Sequence, residues 1–83
     1  MNTEYTLWKQ DLEDNRTFVK SFSDYLEAYK YIYNYKKENN IDVPYIREIP
    51  LDDGLKIDYG SYSDYFVIIN KDFWTNLRND DRP

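Results

Sequence analysis

The chain contains neither cysteine nor histidine, and at 83 residues that decides what can hold it together. A domain of this size buries only about 60% of the surface its unfolded chain exposes, and small domains ordinarily add disulfides or a structural metal. Here disulfides, Cys/His zinc sites, iron–sulfur clusters, thiolate nucleophiles and Ser-His or Cys-His pairs are all excluded. Packing must do the work alone. Ten Tyr, four Phe and two Trp supply a large apolar area per residue, 19% of the chain. Leu, Ile, Val and Phe together make about a quarter of the sequence, above the composition that signals disorder. The low mean hydropathy, −0.93, reflects charge. One compact domain, residues 1–83, is expected.

The first 22 residues read as a hairpin. Tyr5–Lys9 is one strand, Glu13-Asp14-Asn15 the polar turn, and Thr17–Phe22 the return strand. Simple alternation puts Phe18, Lys20 and Phe22 on one face and Thr17 and Val19 on the other. Ser23 offers an N-cap hydroxyl to a long helix over Asp24–Glu38, with Asp24 and Glu27 in the first turn where the helix dipole favours negative charge. Tyr25, Ala28, Tyr29, Ile32 and Tyr35 or Lys36 recur at helical spacing, which leaves Tyr31 facing outward with Tyr33 at the border. Asn39-Asn40 suits the left-handed C-cap.

Beyond Ile41 the pattern is extended again. Tyr45–Pro50, with Pro44 and Pro50 on either side, reads as an edge strand. Asp53-Gly54 marks a turn that pairs residues 45–50 with 55–59, and Gly60 a second turn. Tyr65–Ile69 is the most β-prone run and is expected at the centre of the sheet. Phe73, Trp74 and Leu77 predict a short docked turn. The fold class is α+β: an antiparallel sheet of about four to five strands with one long helix on one face, in β-β-α-β-β-β order. Local signals leave the strand order open.

Sixteen acids against eleven bases give a net charge of −5. Direct nucleic-acid binding, which depends on clustered Lys and Arg, is disfavoured. Residues 41–70 carry −4 of the total: Glu48, Asp52, Asp53, Asp58 and Asp64 interleave there with Tyr59, Tyr62 and Tyr65. These residues are expected to form one rim of carboxylates and phenols suited to a basic protein partner. Turn formation is the competing use of the same Asp residues. Tyr31 and Tyr33 form a possible second interface. A carboxylate pair, Asp58 with Asp64, is the best candidate for acid–base catalysis, but so small a chain rarely builds the cleft this chemistry needs. The expectation is a non-enzyme. No EF-hand spacing or phosphate loop is present, so no metal and no cofactor are assigned. No segment approaches a membrane span and the N-terminus lacks a signal-peptide pattern, so a cytoplasmic location is expected.

The excess of Phe, Tyr, Met, Ile, Asn and Lys over Gly, Ala, Arg and Pro, 37 residues against 10, points to A- and T-rich codons and a low-GC genome. The segment Ile57-Asp58-Tyr59-Gly60-Ser61-Tyr62-Ser63-Asp64-Tyr65-Phe66 resembles part of small phage and prophage proteins of low-GC Gram-positive bacteria. The resemblance covers about a fifth of the chain and transfers no functional residue by position. It implies a mobile-element protein, a class that includes inhibitors of host defence nucleases and replication enzymes, anti-CRISPR proteins among them. The function expected is thus inhibition of a host or defence protein, such as a nuclease, by occupying its basic nucleic-acid-binding surface as a DNA mimic would. The alternatives are a self-associating structural or regulatory module, a homodimer through the helix tyrosines, and a toxin-neutralising immunity protein.

Overall fold

A computed structural model describes residues 4–41 and 46–75. Its elements are β1 (Tyr5–Asp11), β2 (Arg16–Phe22), α1 (Tyr25–Glu38), β3 (Arg47–Leu51), β4 (Gly54–Asp58) and β5 (Asp64–Ile69). The α+β class and single antiparallel sheet agree with the sequence reading. The helix, at 14 residues, is of ordinary length and not the long one expected. Pro44, Tyr45 and Leu77 lie outside the described residues.

The strand order is β2-β1-β5-β4-β3. β5 is central, as expected from its composition, and Phe66, Val67 and Ile68 are buried on alternate faces, the signature of a strand flanked on both sides. The helix covers one face. Ala28 and Ile32 lie in the same buried cluster as Leu7, Ile57, Phe66 and Ile68. Phe73 closes one end of this layer, with its ring edge-on to those of Tyr5 and Tyr25 at 6.0 and 5.5 Å.

Four details depart from the sequence reading. The N-cap is Asp24, not Ser23: its Oδ1 accepts the Leu26 N–H at 2.7 Å, and the helix begins at Tyr25. A carboxylate gains from both the hydrogen bond and the dipole, so it outcompetes the neighbouring hydroxyl. Tyr31 is not outward-facing. It sits about 90° from the centre of the buried stripe, and its ring reaches back to Phe22 and Phe66, at centroid distances of 5.8 and 6.4 Å. Tyr33, about as far from that centre on the opposite flank of the helix, is the exposed one at 60%.

The third departure is a β-bulge. Tyr5 pairs with Phe22 and Leu7 with Lys20, but Trp8 pairs with Phe18, so Val19 is the extra residue and alternation inverts across it. Phe18 and Phe22 are therefore on opposite faces: Phe22 meets Tyr31, and Phe18 meets Trp8 at 5.3 Å. The fourth concerns Gly54. The β3–β4 turn consists of Asp52 and Asp53, with Leu51 paired to Gly54. Gly54 is a strand residue where two backbones approach closely, since a Cβ there would stand 1.9 Å from the Ile68 carbonyl oxygen. Gly60, at φ 99°, does serve the predicted turn. The helix C-cap also follows expectation: Asn40 is left-handed at φ 55°, and the Ile41 and Asn40 N–H groups bond the carbonyls of Lys36 and Lys37.

Candidate functional site

Antiparallel pairing divides the chain's turns between two ends of the sheet. Asp11 pairs with Asp64 and Arg47 with Asp58, so the β1–β2 turn, the β4–β5 loop and the start of β3 share one end. Asp52 and Asp53 lie at the other. The five residues of β4 separate the two groups by roughly 17 Å. The single rim of Asp52, Asp53, Asp58 and Asp64 expected from sequence is therefore not formed. In its place Asp58 and Asp64 are joined by Asp11, Glu13 and Asp14, which sequence reasoning passed over because it could not place β1 beside β5.

Much of this acidity is engaged internally. Asp11 accepts the backbone N–H groups of Glu13 and Asn15, each at 2.9 Å. The Asn15 N–H above all holds its carboxyl below the usual carboxylate range. These bonds shape the turn and leave Asp14 left-handed at φ 68°. Asp58 accepts the Gly60 N–H at 3.1 Å and stands 3.5 Å from the Arg47 guanidinium. Asp64 accepts a short hydrogen bond from the Tyr59 hydroxyl and lies 3.5 Å from the Lys9 ammonium. Lys9 in turn donates to the Tyr35 hydroxyl and sits 4.3 Å from that ring's centroid.

Lys9, Tyr35, Tyr59 and Asp64 thus form one network beneath the C-terminal end of α1. Partial burial would by itself lower the Lys9 pKa. The hydrogen bond to Tyr35 and the charge of Asp64 outweigh it, and the ammonium's pKa is raised. Desolvation first, then the bond to Asp64, raises that of the Tyr59 hydroxyl. No sequence signal links Lys9 to Asp64, 55 positions apart; only the β1–β5 register does.

The remaining candidates separate by exposure. Tyr59 is 1% exposed, so it cannot be a partner anchor: it faces the helix because it continues the Leu55, Ile57 alternation of β4. Tyr62 is the opposite case at 96% exposed, standing on the β4–β5 loop between Asp58 and Asp64. Tyr65 is half-buried on the face away from the helix, with the Lys56 ammonium 4.3 Å from its ring centroid. Glu48 lies on the edge strand β3 and reaches the helix. Burial first, then a hydrogen bond to Glu48, pushes the Tyr29 hydroxyl up to about 12. Of the proposed second interface only Tyr33 is on the surface.

Among the described residues no three acidic side chains are grouped to hold a metal ion, and no helix is long and apolar enough to cross a membrane. No protein family matches the chain, and no solved structure matches it either.

Proposed function

We propose that the protein is a non-enzymatic binding module that sets the Tyr62 end of its sheet against a basic surface of another protein. The observation that carries this reading is Tyr62 itself: a large, rigid, amphipathic side chain left 96% exposed on a loop flanked by carboxylates. Tyr at the centre of a contact gives area at low entropic cost, and surrounding acids steer encounter with Lys- and Arg-rich surfaces. Asp58, Glu13 and Asp14 supply that steering. Asp64 and Tyr59 hold the loop from beneath. Together with the resemblance of residues 57–66 to phage and prophage proteins, this favours a mobile-element inhibitor that covers the nucleic-acid groove of a host or defence enzyme.

The test is a tagged pull-down from lysate of a low-GC Gram-positive host, with the eluate identified by mass spectrometry and the experiment repeated in excess duplex DNA. A stoichiometric partner that DNA displaces, and that Tyr62→Ala and Glu13→Lys each release at least tenfold more readily, supports the reading. A partner indifferent to DNA and to both substitutions overturns it.

A further inference from the structure

The β1–β2 turn carries a side chain that the fold does not use. Leu12 is 65% exposed in a tight turn, where Asp, Asn, Ser and Gly are the usual residues because they serve the backbone. Its neighbours do serve it. Asp11 accepts the N–H groups of Glu13 and Asn15 on its side chain and that of Asp14 on its carbonyl, the last at 3.1 Å, while its own N–H donates to the Asn15 carbonyl at 3.0 Å. Asp14 accepts from Gln10 Nε2 at 3.1 Å. Leu12 is no part of the buried cluster, and a polar residue would close the turn equally well.

Leu12 shares its end of the sheet with Tyr62. Asp11 and Asp64 are partners across β1 and β5; Leu12 follows the first by one residue and Tyr62 precedes the second by two. With about 5.5 Å between paired Cα atoms and about 3.8 Å per chain step, the Cα atoms of Leu12 and Tyr62 are at most about 17 Å apart. The Tyr62 loop is hydrogen-bonded as the turn is: the Gly60 N–H donates to Asp58 Oδ1 at 3.1 Å and the Ser63 N–H to Ser61 Oγ at 3.2 Å. Both apolar groups are therefore held out on backbone already fixed by internal bonds, which lowers the ordering cost of a contact.

Their surroundings set the occupant. Asp11, Glu13, Asp14, Asp58 and Asp64 supply the charge at this end, and the cations Lys9 and Arg47 each stand 3.5 Å from one of them. An anionic lipid surface or a nucleic acid is repelled. A groove shaped only for phosphates attracts the carboxylates but offers nothing to an aliphatic side chain, whose burial needs an apolar wall. We infer that Leu12 is a second anchor beside Tyr62, and that the surface it fits is a protein patch in which Lys and Arg rim an apolar socket. This rests on the reading of the Tyr62 end as a docking surface for a basic protein and narrows it: the carboxylates govern encounter, and Leu12 with Tyr62 holds the complex. Full burial of a leucine side chain raises affinity about tenfold to a hundredfold, and partial burial about fivefold.

The experiment is an NMR titration of the ¹⁵N-labelled full chain, up to about 5 mM ligand, with two synthetic peptides of equal charge. In one, Lys and Arg alternate with Leu and Phe; in the other, Ser stands in every apolar place. The expected result is binding of the apolar peptide about fivefold or more tighter, with shifts centred on Leu12, Glu13 and Tyr62. Leu12→Ser and Tyr62→Ala should each bring the two affinities within about twofold. Leu26→Ser should keep the preference, since Leu26 is as exposed, at 62%, but lies in the first turn of α1, whose other end overlies the Lys9 network. Equal affinity for the two peptides overturns the inference and leaves the charge-steered docking standing, as does a preference that Leu12→Ser retains. Binding of neither peptide overturns both together.

Discussion

Lys9 shows how one register places a cation where no local pattern announces it. Its ammonium is held by the Tyr35 hydroxyl and ring and by Asp64, and Asp64 also accepts from the buried Tyr59. Replacing Asp64 with Ala strands the Tyr59 hydroxyl and should cost about 2 kcal/mol, a fall in Tm of roughly 10 °C for a chain this short. Asp64→Asn, which keeps an acceptor, should recover most of that loss in a thermal melt. The pH dependence has a definite sign. Lys9 has a raised pKa in the folded state, so its contribution is complete below its ordinary value of 10.5 and fades as pH climbs past it. The hydroxyls of Tyr25, Tyr29 and Tyr59 are raised chiefly by burial, so the unfolded chain loses those protons first. Both effects act together: stability should be flat near neutrality and fall above pH 10. Absorbance at the phenolate band should show at least three of the ten tyrosines ionising late, together with unfolding.

At the scale of elements, local chemistry and hairpin pairing are readable in the sequence, and the non-local pairing of β1 with β5 is not. The helix carries its own evidence in the spacing of Tyr25, Ala28 and Ile32 and in Asn40, and the β3–β4 pairing followed from two short runs around one turn. Within those elements the errors were of one residue, Ser23 for Asp24 and Asp53-Gly54 for Asp52-Asp53. Asp24→Ala should accordingly cost about 1 kcal/mol in chemical denaturation, with Ser23→Ala close to neutral. Gly54→Ala drives a methyl group into the Ile68 carbonyl and should cost about 3 kcal/mol, more than any turn role would predict. The bulge at Val19 was invisible because Thr17–Phe22 alternates well enough to be a regular strand; the register of Tyr5 and Trp8 against it creates the extra residue. The candidate site suffered from the same limit. Asp52, Asp53, Asp58 and Asp64 are neighbours in sequence, but the strand between them carries the pairs to opposite ends of the sheet, while Asp11 arrives beside Asp64 from the start of the chain.

For the molecule as a whole, exposed aromatic area falls in three places: on Tyr62 among the carboxylates of one sheet end, on Tyr33 of the helix, and on Phe18 of the sheet face away from the helix. Tyr62→Ala touches no packed group and should leave Tm unchanged within about 1 °C, as expected of a surface substitution, so any loss of binding it causes will reflect contact and not folding. The strand order carries a further consequence. β1 joins β2 locally, but its other edge is completed only by β5, so the central seam of the sheet unites the first of the described strands with the last. During synthesis the N-terminal hairpin must wait, with one long edge unpaired, until residues beyond Ile69 have cleared the ribosome. Folding should then be governed by that final closure, in the slow range typical of non-local sheets, and the waiting edge is where a neighbouring nascent chain could donate its own β5 in place of the proper one.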